Sequence, residues 1–88
     1  MEEYKIIKAT TLTSSEQTLY SNTAGAIVKT IVLQPTNPEI TKATLSFDGV
    51  AFNFELDSSV IKFDGPIMTK EIKAIGDGVQ IHITGLQL

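Results

Sequence analysis

The sequence predicts an all-β domain: an antiparallel β-sandwich of about seven strands, jelly-roll or Ig-like, with a barrel as the alternative. Three observations predict it. Oily and polar residues alternate at every second position along most of the chain, while a helical period is hard to find. Threonine, isoleucine and valine dominate the alternating stretches, as a half-buried pleated surface favours. Turn residues punctuate the chain at the spacing of about 8–12 residues that sandwiches and barrels share. The 88 residues are too few for a second core, so residues 1–88 form a single domain.

The first segment covers residues 4–12, with Tyr4, Ile6, Lys8 and Thr10 on one face and Ile7, Ala9 and Thr11 on the other. A short second strand spans 17–20. The third, 26–34, is apolar on both faces, with Ile27, Ile31 and Leu33 on one side and Val28 and Val32 on the other. Such a strand is either central or meets a partner on its outer side. Pro35 and Pro38 each lack a ladder donor and make 35–39 a turn.

The fourth and fifth strands read as a hairpin. Ala43, Leu45 and Phe47 alternate with Thr44, Ser46 and Asp48, and after the turn Phe52, Phe54 and Leu56 alternate with Asn53 and Glu55. Asp48-Gly49 between them tolerates the two positive φ angles of a type I′ turn. Three of the four phenylalanines then share one face, which places the hairpin at the centre of the core. Residues 57–66, with Ser58-Ser59 and Asp64-Gly65-Pro66, read as a crossing between sheets. The sixth strand is 66–74 and the seventh 79–88, joined at Gly76-Asp77-Gly78 by a second hairpin signal. Val79, Ile81 and Ile83 oppose Gln80, His82 and Thr84, and Gly85 suggests a bulge that resets the phase. The apolar last residues imply a C-terminus paired into a sheet.

Composition narrows the function. There is no cysteine, hence no disulfide and no thiolate metal site, which fits a reducing compartment. The acidic start Met1-Glu2-Glu3 does not resemble a secretory leader, and no apolar run reaches the roughly 18 residues that span a bilayer. A soluble chain with no membrane partner is expected. Net charge is −3, and all 7 basic residues are lysines, scattered among acids. Without arginine or a basic cluster, nucleic-acid binding is not expected.

Catalytic and metal motifs each have a simpler explanation. His82 is the sole histidine and sits in the polar phase of its strand, with no second ligand at strand spacing. No serine lies in a nucleophile-elbow pattern. Asp48, Asp64 and Asp77 each precede a glycine, as turn chemistry favours, and no calcium-loop spacing gathers them. Asp57 and Asp64 could pair for glycoside chemistry, but the chain has no tryptophan and 2 tyrosines for stacking on sugars. Gly76-Asp77-Gly78 lacks the lysine and following helix of a phosphate loop. No enzyme, no cofactor and no metal are expected.

One segment points elsewhere. Thr18-Leu19-Tyr20-Ser21-Asn22-Thr23-Ala24-Gly25, followed by Ala26-Ile27-Val28-Lys29-Thr30-Ile31-Val32-Leu33, resembles small head- and tail-associated proteins of tailed bacteriophages. In those a Leu-Tyr pair closes a short strand, a glycine-containing turn follows, and a long strand of Ile and Val comes next. The downstream order is similar, so the resemblance spans about residues 9–88. Gln34-Pro35 departs from it, since many such sequences carry asparagine there.

The resemblance implies a virion component made in the bacterial host cytoplasm: a capsid decoration, neck or tail protein. It would act by contact with other virion proteins or with itself, as a homo-oligomer. Candidate interface residues are Tyr4, Tyr20, Ile27, Ile31 and Leu33, tyrosine being enriched at interfaces. Two alternatives stay open. One is a carbohydrate- or host-surface-binding module, which would require exposed aromatics; the other is a small phage-encoded inhibitor of a host protein.

Overall fold

The computed structural model describes residues 4–40, 42–56 and 60–88. The acidic start Met1-Glu2-Glu3, the Ser58-Ser59 link and Asp57, the possible partner of Asp64, lie outside the described residues. Every regular element described is a strand: β1 (Lys5–Thr11), β2 (Gln17–Pro35), β3 (Lys42–Phe47), β4 (Val50–Glu55), β5 (Ile61–Ile75) and β6 (Val79–Gln87). They form one antiparallel sheet of six strands in the order β1-β6-β2-β5-β3-β4. With β1 and β4 at its margins the sheet is open, so the barrel alternative falls.

The expected second and third strands are a single strand. β2 runs on from Gln17 to Pro35 against β5, but its register jumps between Ser21 and Ala26. Asn22 to Gly25 loop out and return to the same partner. The Tyr20 hydroxyl donates to the Gly25 carbonyl at 2.8 Å, the Ala24 N–H donates to Asn22 Oδ1 at 2.9 Å, and Gly25 has φ +86°. The turn chemistry lies where the sequence places it; it makes a large bulge, not a break.

The Gly76-Asp77-Gly78 turn exists, and the Val79 N–H donates to the Gly76 carbonyl at 2.9 Å. It does not make a hairpin. β5 and β6 each pair with β2, which lies between them. A turn fixes a local reversal; which strands then pair depends on the long apolar β2, which both flank. The turn is held instead by backbone bonds from Gly78 N–H to the Leu12 carbonyl and from Gly76 N–H to the Thr13 carbonyl, at 3.0 and 3.1 Å. Part of the expected crossing is also strand, since β5 begins at Ile61, before Pro66. Gly65 and Pro66 drop out of the β2–β5 register, so the missing proline donor costs the ladder nothing.

A crease crosses four neighbouring strands. β2 carries an extra residue, Lys29, against β6, β5 sets two residues, Gly65 and Pro66, against that one, and β1 carries an extra residue, Ile7, against β6. The expected bulge at Gly85 is therefore in the strands that flank it. Gly85 pairs with Val28 and Lys5 and lies so close to β2 that a Cβ would overlap the Ile27 carbonyl oxygen. Gly65 meets the Val28 carbonyl oxygen in the same way from β5.

Bulges bend a sheet and shift its phase. Before Lys29 the buried apolar side chains of β2 are Leu19, Ala26 and Val28; after it they include Ile31 and Leu33. One concave face is thus lined with aliphatic side chains, among them Leu12, Leu45, Ile72, Val79 and Ile83. The curl brings remote elements together at Gly76, where Leu12 Cδ1, Ala43 Cβ and Val79 Cγ2 lie 3.2–3.3 Å from the position a Cβ would take. None of the phenylalanines is fully buried. The β3–β4 hairpin is not the centre of the core: Ala43 and Leu45 of β3 belong to it, while β4 is a margin strand whose Phe54 packs against the cluster and whose Phe52 stays exposed.

Candidate functional site

The displaced phenylalanines build an open apolar surface feature. Asp48 and Gly49 have φ +53° and +84°, both positive as a type I′ turn requires, and they set β3 and β4 in register with Phe47 opposite Val50 and Leu45 opposite Phe52. β3 pairs with β5 only from Thr44 to Phe47, against Ile72–Ile75. Earlier in β5, from Ile61 to Lys70, the edge facing the hairpin carries no strand among the described residues, and neither does the outer edge of β4.

Between these two free edges lies an apolar groove of about 530 Å³, lined by Phe47, Val50, Phe52 and Phe54 from the hairpin and Phe63, Ile67 and Met68 from β5. Phe54 closes its floor against Phe63, ring centroids 4.7 Å apart and tilted by 48°. Phe47 and Phe52 form a second tilted pair at 6.1 Å. The rim is open: Phe52 is 49% exposed and Met68 73%. Contiguous exposed apolar surface of this kind marks an interaction site more often than an accident of packing.

Asp48 fixes the mouth of the groove. Its Oδ1 accepts the N–H groups of Lys70 at 2.8 Å and Glu71 at 3.0 Å, and lies 3.2 Å from the Thr69 hydroxyl. The Asp48 N–H in turn donates to the Glu71 carbonyl at 3.0 Å. These bonds, the one from Lys70 first, hold the carboxyl below its ordinary pKa. The carboxylate thus sews the hairpin turn onto the middle of β5. Its role is structural.

The residues singled out from sequence do not gather at one place. Tyr4 is exposed beside the β1 margin, with Lys29 Nζ 5.9 Å from its ring centroid. Tyr20 is half-buried and spends its hydroxyl on Gly25. Ile27 is half-buried, while Ile31 and Leu33, at 2% and 0% exposure, belong to the core of the protomer. The Lys29 bulge decides this, because it turns the stretch after it over.

Sequence reasoning missed the groove because alternation reports which face a residue occupies and not how near the margin its strand lies. His82 is exposed on β6, between Ala9 and Val32 on its neighbours. Asp64 Oδ1 lies 3.9 Å from Lys62 Nζ on the surface. Among the described residues no three of His, Cys, Asp and Glu come together as metal ligands would. What the surface offers is apolar area and free backbone edges. Compared with known proteins, the chain matches no family model, no curated protein and no solved structure.

Proposed function

We propose that this chain is a non-enzymatic structural or accessory protein of a bacteriophage virion, a decoration, neck or tail component that works by holding other virion proteins or copies of itself. The observation that carries the reading is the aromatic groove beside the free edge of β4. An apolar face flanked by free strand edges suits a protein whose work is contact. The resemblance of residues 9–88 to small phage head and tail proteins supplies the setting: synthesis in the bacterial cytoplasm, residence in the particle. In outline we read the fold as a sandwich. The crease lets β2 and β5 contribute to both layers, and counting β2 as two segments on either side of its Asn22–Gly25 bulge brings six strands to seven.

Mass spectrometry of phage particles purified from a host that carries the gene tests this directly. The chain is expected in the particles at a fixed stoichiometry to the capsid or tail proteins. Its absence from them, with the protein abundant in the lysate, overturns the reading.

Exposed Phe52 favours a second reading, a glycan- or host-surface-binding module, since an accessible ring can stack on a sugar. A glycan array separates the two, because a specific sugar whose binding is lost in Phe52→Ala would reverse the ranking.

A further inference from the structure

The two margins of the sheet complement one another. β1, Lys5–Thr11, carries two lysines and no acid; β4, Val50–Glu55, carries one glutamate and no base. The strands are 7 and 6 residues long. Both present large exposed apolar side chains, Ile6 with Tyr4 just before β1, and Val50 with Phe52 on β4. Both have an outer backbone edge without a strand partner among the described residues.

We propose that β1 of one copy pairs edge to edge with β4 of the next, so that the six-stranded sheet continues from subunit to subunit. This rests on the assembly reading above and names its partner: a second copy of this chain. Charge selects the arrangement. A β1–β1 contact sets Lys5 and Lys8 against their own copies, and like charges facing across strands repel. A β4–β4 contact leaves Tyr4, Ile6 and the lysines of both copies uncovered. The β1–β4 contact brings Lys5 and Lys8 toward Glu55, covers Ile6 and Val50, and satisfies both ladders of free N–H and C=O groups. Because it joins two different surfaces it is heterologous, and repetition gives a closed ring or an open filament, not a dimer that stops at two.

The test uses the full chain as purified, in a concentration series by sedimentation velocity, with zero-length carbodiimide cross-linking of mixed light and heavy isotopic copies. Species larger than a dimer are expected, with intermolecular links from Lys5 or Lys8 to Glu55. Glu55→Lys should weaken association by about tenfold, and adding Lys5→Glu and Lys8→Glu should restore it, as reversal across a contacting charge pair does. Intermolecular cross-links that take Glu55 to lysines outside β1, or that never involve β1 in the assembled fraction, overturn the inference while leaving the virion reading intact. A chain that stays monomeric at every concentration overturns it as well; presence of the chain in particles then still decides the virion reading separately.

Discussion

Phe54 and Phe63 meet at 4.7 Å although their strands share no hydrogen bond. β4 ends the sheet, two places from β5, and it is this contact between rings that closes the hairpin over the first half of β5. A tilted aromatic pair is worth about 0.5–1.5 kcal/mol beyond the area it buries. Phe54→Ala and Phe63→Ala should each destabilise the fold by about 2 kcal/mol, below the usual range for phenylalanine truncation because both rings are only half-buried. In urea denaturation the double variant should cost less than the sum of the singles, by roughly 1 kcal/mol. Strict additivity would mean that the two rings do not support one another.

Asp48 makes the attachment of the hairpin sensitive to acid. Its carboxyl is held below the ordinary value of 3.8 by the Lys70 and Glu71 N–H groups. A folded-state pKa below the unfolded one stabilises the fold above the unfolded value, and that contribution disappears as pH falls through the folded one. The urea midpoint of the wild type should therefore drop as pH falls below the ordinary value of 3.8 and through the lower folded one. Asp48→Asn keeps a side-chain oxygen and tolerates the positive φ, but has no proton to take up. Its midpoint should fall less over the same range, and curves that stay parallel would remove Asp48 from the account.

Two glycines separate lack of space from backbone conformation. Gly49 has φ +84° and open space, with nothing within 4 Å of the place a methyl group would take, so Gly49→Ala should cost only the left-handed backbone term, about 1 kcal/mol. At Gly85 a Cβ would overlap the Ile27 carbonyl oxygen and stand 2.9 Å from Val28 Cα, both of them backbone. Gly85→Ala must push β6 away from β2 at the crease and should cost about 3 kcal/mol or more. Equal midpoints for the two variants in urea would show that the crease is not tightly closed.

The alternation of side chains made the strand class and most strand positions legible, because burial on one face of a sheet repeats every second residue. Val79, Ile81 and Ile83 point inward as their spacing implies, and Asp48-Gly49 turns where its chemistry says it must. Pairing beyond that hairpin was not legible. Gly76-Asp77-Gly78 reads as a hairpin from either side, yet β2 intervenes between β5 and β6, and only long-range apolar matching decides that. The groove was hidden for a related reason. Phe52 and Leu45 are cross-strand partners on the same face, and one is half-exposed while the other is fully buried, since β4 is a margin and β3 is not. Lys29 hid the rest: one extra residue put Val28 and Ile31 on the same buried face, so a phase read straight through β2 assigns one half of it wrongly.

Phe52 tests whether the groove serves binding more than folding. Half of its surface is already in water, so Phe52→Ser should lower stability by no more than about 1 kcal/mol. If the groove is covered in the assembled state, the same substitution removes a central aromatic from a contact, and such residues carry a large share of binding energy. Self-association followed by sedimentation should weaken by about tenfold or more. Ala51→Ser is the matched control: it is exposed on the same strand but alternates to the other face, and it leaves the backbone edge of β4 unchanged. Its association should stay near that of the wild type. Equal loss in both variants would place the effect in the strand edge alone, and no loss in Phe52→Ser would remove the groove from the contact surface.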